Sequence, residues 1–137
     1  ESFQSYVAHV VEISMKNGNV VVHKVTCAID CGVAVNPDGV VMQMESGIVF
    51  GLTMALYGEL TVEKGQIQQN NFYDYKMLRM HESPKIEVHI VESTDKMGGA
   101  GECGVPPVAP ALVNAIFAAT GKRVYNLPLK NINFNNA

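Results

Sequence analysis

The chain is poor in cysteine, carries no acid after Glu102 and does not start with methionine. Its three cysteines, Cys27, Cys31 and Cys103, do not make a disulfide framework. On one strand Cys27 and Cys31 would stand about 13 Å apart, beyond the roughly 7 Å that a bridge spans. There is no CxxC pair and no cluster of histidines, which argues against a zinc or iron–sulfur site within the segment; no side chain is assigned as a metal ligand. No apolar run approaches the roughly 20 residues of a membrane span without glycine, proline or charge interrupting it. A formal net charge of -3 argues against nucleic acid or an anionic membrane as partner. The opening Glu1-Ser-Phe-Gln-Ser reads as a chain cut from something longer, so any targeting signal of the parent is out of view. At 137 residues the chain suits one domain, 1–137, with about two thirds of its unfolded surface available for burial.

The elements that are present predict an α+β fold, with β-hairpins and a mixed sheet packed with two main helices, about 37–57 and 106–120. Val7, Val11, Ile13 and Met15 share one side of a strand with His9. Lys16-Asn-Gly-Asn19 supplies a tight turn, and Val20 to Asp30 forms the second strand. His9 and His23 read as sheet or core histidines rather than ligands. Asn36 is an N-cap, Pro37 fits the first helical turn and Asp38 complements the dipole. Val40, Val41, Met44, Ile48, Leu52, Ala55 and Leu56 recur at helical spacing as a core stripe. Gly47 and Gly51 let something approach this helix closely, either a second helix or a cofactor. A short hairpin is expected at Glu59–Val62 and Gln66–Gln68, then a loop to Pro84 with Phe72, Tyr73 and Tyr75 packed down. Lys85 to Glu92 alternates as a strand with Ile86, Val88 and Ile90 inward. Leu127-Pro-Leu129 suggests a short edge strand, and Asn131 to Ala137 a frayed tail.

The most informative stretch is Met97 to Arg123. Gly98, Gly99, Gly101 and Gly104 surround one acid, Glu102. Pro106 and Pro107 mark a helix start, and Gly121 with Lys122 and Arg123 marks its end. The residues between are apolar nearly all round, which predicts a buried helix. Gly99-Ala-Gly-Glu-Cys-Gly104 fits GxGxxG, yet it is no dinucleotide motif. The preceding strand ends well before Gly99, the two prolines remove backbone donors a pyrophosphate needs, and no later acid can hold a ribose. Glu102 itself reads either as an acid stabilised by a helix N-terminus or as a general base packed among glycines, its pKa tuned by burial and dipole.

Gly99-Ala-Gly-Glu-Cys-Gly-Val-Pro-Pro107 and the helix through Arg123 resemble the C-terminal signature of the molybdenum hydroxylases, the xanthine dehydrogenase and aldehyde oxidase family. Asp30-Cys-Gly-Val-Ala-Val-Asn-Pro37, Gln43-Met-Glu-Ser-Gly47 and Gly51-Leu-Thr-Met-Ala-Leu56 resemble a second block of that family, in the same order. Asn71-Phe-Tyr-Asp-Tyr75 and the strand around Ile86 to Val91 also fit, so nearly the whole chain is covered. The resemblance points to the bacterial isoquinoline 1-oxidoreductase branch, and to the C-terminal part of its molybdopterin-binding beta subunit.

That resemblance implies hydroxylation of an N-heterocycle or an aldehyde, with the oxygen drawn from water. Glu102 falls on the family's base, which takes the proton from the attacking oxygen. Gln43, with Gly101 in the loop, falls on the cofactor side, Gln43 at a position that contacts the pterin. The implied cofactor is molybdenum-molybdopterin in the parent enzyme, with 2Fe-2S clusters in a partner subunit or domain. The implied partners are the remainder of the large subunit, an iron–sulfur subunit and a small heterocycle or aldehyde. The fragment alone is expected to be inactive, and the compartment, bacterial cytoplasm or periplasm, stays open. Ser46 stands where glycine is usual, and Cys103 where proline, serine or alanine is familiar. The rival expectation is an inactive scaffold or assembly domain of the same descent.

Overall fold

The computed structural model describes residues 1–134. Two long strands, β1 (Tyr6–Lys16) and β2 (Asn19–Asp30), form the expected antiparallel hairpin. Its turn places Asn17 and Gly18 at φ 52° and 75°, the left-handed pair that a two-residue hairpin turn requires. After β2 the chain crosses through helix α1 (Pro37–Tyr57), which begins and ends where the periodicity predicts. It continues through a ribbon of β3 (Val62–Glu63) and β4 (Gln66–Ile67). It then returns as β5 (Lys85–Ile90), parallel to β2. The sheet order is β1-β2-β5, a mixed sheet. Helix α2 (Val108–Thr120) packs on β1 and on α1, while α1 packs on β5, so both helices cover one face of the sheet.

The central strand shows how that face is built. Val25, Cys27 and Ile29 alternate inward and are fully buried, but the next inward residue toward the turn is Val22. The parity changes because the register slips between Glu12 and Ile13, opposite His23. This bulge keeps both halves of the hairpin facing the helices. Met44, Ile48 and Leu52 descend from α1 and Leu112 and Ile116 from α2, all at zero exposure. Each such side chain contributes about 1.5–3 kcal/mol of burial.

The cap readings hold. The Asn36 side chain accepts the Gly39 N–H at 3.2 Å, and Gly121 closes α2 in the left-handed conformation. Beyond it, the Arg123 guanidinium lies 3.6 Å over the Phe117 ring. By length and composition α1 passes for a membrane span, with a mean hydropathy of 1.4, although proline, glycines and charges interrupt it as the sequence reading expects. Its Gly47–Ile48 and Gly51–Thr53 positions are nevertheless buried against protein, and Asp38 and Glu45 lie on it, as suits a core helix.

Several expectations are corrected. The second helix starts at Val108 rather than Pro106, and only Val108, Leu112 and Ile116 of it are buried. Pro110, Asn114, Ala118 and Ala119 are exposed, because its contacts within this chain use one stripe only. The second hairpin shrinks to two residues a side. Phe72 and Tyr73 are 89% and 80% exposed rather than packed down. The loop is anchored instead by Leu78, whose N–H reaches Thr53 Oγ1, and by Glu82, which accepts the Tyr57 hydroxyl at 2.7 Å. Leu127-Pro-Leu129 is no strand; a 3-10 turn, Leu129–Asn131, buries Leu129 there. Phe134 is buried and its N–H donates to the Gly18 carbonyl, so the tail is docked up to that residue. The rest of the expected frayed tail, 135–137, lies outside the described residues.

Candidate functional site

The segment between β5 and α2 has neither helix nor strand, yet its backbone is tied down at several points. The Gly98 N–H donates to the Cys31 carbonyl at 3.0 Å, just past the end of β2. Gly99 is held on both sides: its N–H donates to the Phe3 carbonyl, and its own carbonyl accepts the Ser5 hydroxyl, both at 2.8 Å. The Cys103 thiol donates to the same carbonyl at 3.3 Å. The glycines make these approaches possible. A Cβ on Gly98 would collide with the Gln4 carbonyl and the Ser5 hydroxyl, and one on Gly104 would meet Met44 Sδ at 3.2 Å.

Glycine therefore packs the loop against its neighbours and not around the carboxylate. Glu102 is exposed, and α2 begins only after Pro106 and Pro107. Both sequence readings of its environment are corrected: the acid is neither buried nor within the first helical turn, where a dipole would act. Among the described residues its carboxylate accepts no hydrogen bond; only its backbone carbonyl is engaged, by the Val105 N–H at 2.9 Å. Cys103, the neighbour that departs from the familiar pattern, points the other way and is 1% exposed. Burial, with weaker effects from the Cys31 thiol, pushes the Cys103 thiol pKa up.

Glu102 opens into a cavity of about 440 Å³ whose lining includes Phe3, Ser46, Phe50, Met54, Gly101 and Pro106. This volume lies within the roughly 300–1,000 Å³ range of small-molecule sites. A Cβ on Gly101 would meet nothing within 4 Å, so that stretch of backbone faces open space. Gln43 does not line the cavity; it is exposed on α1, one turn before Ser46 and Gly47 on the same helical face. Gly47 and Gly51 pack against protein: a Cβ there would meet Gly104 and Val105, or Val105 and Val108, so the segment leading into α2 approaches the helix closely at both, and Gly47 also lines the cavity. Sequence reasoning missed Phe3, Phe50 and Met54. Phe50 and Met54 were detectable, because Gln43, Gly47, Phe50 and Met54 recur at three- and four-residue spacing as a second stripe beside the core one.

Residues 2–84 match the model of the molybdopterin cofactor-binding domain. The isoquinoline 1-oxidoreductase subunit beta of Brevundimonas diminuta is 43% identical over 109 residues, covering 80% of this chain and 14% of that protein. The xanthine dehydrogenase molybdenum-binding subunit of Escherichia coli O157:H7 is 31% identical, covering 80% and 16%. The aldehyde oxidoreductase of Desulfovibrio gigas superposes with a TM-score of 0.79 at 23% identity, covering 97% of this chain and 16% of that one, and shares the fold. The chain belongs to the molybdopterin cofactor-binding domain family of the molybdenum hydroxylases. It spans less than a fifth of the relatives it matches.

The residues present suit such a group. The exposed Gln43 amide can both donate and accept toward a heterocyclic ring edge. The Gly101 backbone and the unpartnered Glu102 carboxylate stand open on the cavity side of the loop.

Proposed function

We propose that this chain is the C-terminal segment of the cofactor-binding subunit of a molybdenum hydroxylase, with Glu102 as its general base. The substrate class is an N-heterocycle of the isoquinoline kind or an aldehyde. One C–H bond is replaced by C–OH using oxygen from water, and two electrons and two protons are released. The observation that carries the reading is the free Glu102 carboxylate in an apolar-walled cavity, on a loop whose backbone is fixed.

The molybdenum cofactor supplies, when bound, the two-electron oxidant and the activation of water. Gln43 and Gly101 would hold its pterin part, the amide by hydrogen bonds and the glycine by leaving the backbone open. Glu102 accepts the proton of the water-derived nucleophile at a carboxylate oxygen, and Phe50, Met54 and Pro106 keep bulk water from the reacting carbon. A positioned base contributes typically 10²–10⁴ in rate, about 3–5 kcal/mol. 2Fe-2S clusters in a partner subunit or domain would take up the electrons. The isolated segment, lacking the rest of the cofactor site, is inactive.

The test is Glu102→Gln in the intact parent enzyme, with molybdenum measured by mass spectrometry and dye reduction measured with heterocycles and aldehydes. Unchanged metal content with at least a hundredfold loss of turnover supports the base. Normal turnover in the variant removes it, and a wild-type protein without molybdenum points to the scaffold role instead.

A further inference from the structure

Among the described residues, three tight turns have central residues with positive φ. Two of them, Asn17-Gly18 and Lys64-Gly65, use glycine at the second central position. The third, closed by the paired backbone bonds of Ser2 and Ser5, has Phe3 at φ 54° and Gln4 at φ 62°. This backbone favours Asn and Gly, and a bulky aromatic residue is strained in it. Nothing local explains a phenylalanine there. Its ring is not buried for compensation either, since Phe3 is 63% exposed.

The turn's surroundings supply the reason. It is fastened to the Glu102 loop through the Phe3 carbonyl and the Ser5 hydroxyl, both bonded to Gly99, and Ser5 is fully buried. A Cβ on Gly99 would lie 3.0 Å from Phe3 Cβ and 3.7 Å from Cγ, so Gly99 leaves the room in which the phenylalanine side chain lies. The ring then forms a wall of the cavity shared with Glu102, together with Phe50 and Met54, which are 56% and 47% exposed. Exposed apolar side chains gathered around one free carboxylate mark a surface kept for an apolar ligand. An aromatic face adds a preference for flat rings, which stack on it in offset or edge-on geometry.

We infer that Phe3 is a specificity-determining residue of this cavity, selecting planar aromatic-ring substrates over small aliphatic ones. The strained Ser2–Ser5 turn holds its ring against the base's loop. The inference rests on this cavity being the substrate site, as proposed above; it does not depend on Glu102 being the base.

The experiment uses the intact parent enzyme with Phe3→Asn, Phe3→Leu and Phe3→Tyr. Asparagine suits the left-handed conformation, so Phe3→Asn relaxes the turn while deleting the ring. Binding of naphthalene, which demands no proton transfer, is measured by equilibrium dialysis. KM and kcat are measured for isoquinoline and for acetaldehyde, at molybdenum contents matched to wild type. Phe3→Asn is expected to raise the naphthalene Kd and the isoquinoline KM about five- to tenfold, the size of one aromatic contact. The acetaldehyde KM should stay within twofold, and Phe3→Tyr should restore ring binding. Phe3→Leu gives the same reading if the asparagine variant is poorly produced. Unchanged naphthalene binding in the ring-deleted variants overturns the inference, as does equal weakening of isoquinoline and acetaldehyde. Because naphthalene binding needs no base, this outcome is separate from that of Glu102→Gln.

Discussion

Gly47 and Gly51 stand one turn apart on α1, both buried, and alanine should have opposite effects at the two positions. Alanine in a helix interior is favoured over glycine by roughly 0.5–1 kcal/mol at either position. At Gly47 the new methyl would meet Gly104 C at 3.4 Å and Gly104 Cα and Val105 Cγ2 at 3.5 Å, ordinary contact distances. The helix gain is therefore kept, and Gly47→Ala should stabilise by about 0.5–1 kcal/mol. At Gly51 it would meet the Val105 carbonyl oxygen at 3.0 Å, Val108 Cβ at 3.1 Å and Val108 Cγ2 at 3.2 Å. Neither neighbour can swing aside: one is backbone, and the other is a β-branched side chain at zero exposure in the first turn of α2. Overpacking of this kind costs about 1–3 kcal/mol, which outweighs the helix gain. The net loss for Gly51→Ala should be about 1 kcal/mol, with a range of about 0–2.5. Thermal unfolding of the 137-residue chain, followed by circular dichroism, should show this as melting temperatures on opposite sides of wild type. For a chain of this size each kcal/mol moves Tm by about 3–5 °C. Urea midpoints at unchanged m-value should agree. If Gly51→Ala melts as high as Gly47→Ala, the packing argument for the approach of α2 to α1 is wrong.

Burial lowers the His9 pKa from 6.5 to about 4, and among the described residues neither ring nitrogen has a hydrogen-bond partner. Its cross-strand neighbour is the buried Cys27, and α2, which packs on β1, carries no ionisable side chain. The unfolded imidazole takes up its proton first, so the stability tied to neutral His9 is complete above pH 6.5 and lost as pH falls toward 4. The urea midpoint should therefore drop between pH 7 and 5, and the drop should flatten in His9→Leu; equal slopes would refute the assignment. The Lys24–Glu87–Lys85 cluster acts at lower pH, because its ion pairs hold Glu87 down at about 2, so the two effects separate. Burial first, and Cys103 second, push the Cys27 thiol up to about 11. The folded chain should resist iodoacetamide at pH 8 and take up label at all three buried cysteines only in urea. Rapid labelling of Cys27 in the folded chain would contradict that.

Where local chemistry decides, the fold was legible. Asn36-Pro37-Asp38 and the apolar period locate α1 to the residue, and Asn17-Gly18 fixes the hairpin because few other pairs accept that backbone. The errors fall where longer-range contacts decide. The apolar composition of α2 says that it seeks burial, but not how much of that burial this chain provides, and here only one stripe is covered. Hydrophobicity alone would pack Phe72 and Tyr73 down, yet the loop is pinned by Leu78 and Glu82. Glu102 stood out because an acid among four glycines is unusual. Phe3 could not stand out, since its significance lies in a backbone conformation its residue type does not announce and in a loop 96 residues away, at Gly99.

These distant contacts also show how a loop could hold the proposed base in place. Residues on loops are poorly positioned unless the loop is held. Here three different elements hold it: the end of β2 through Cys31, the N-terminal turn through Phe3 and Ser5, and α1 through Met44 against Gly104. Every one of these contacts engages the backbone or a glycine, and none engages the Glu102 carboxylate. The backbone is thereby fixed while the carboxylate keeps its hydrogen-bonding capacity for a ligand. A group that must accept a proton needs that division, because a carboxylate already satisfied by the protein would have to break a bond before it could react. The same reasoning gives Ser5 its place. Its hydroxyl does not line the cavity, yet it fixes the Gly99 carbonyl three residues before Glu102.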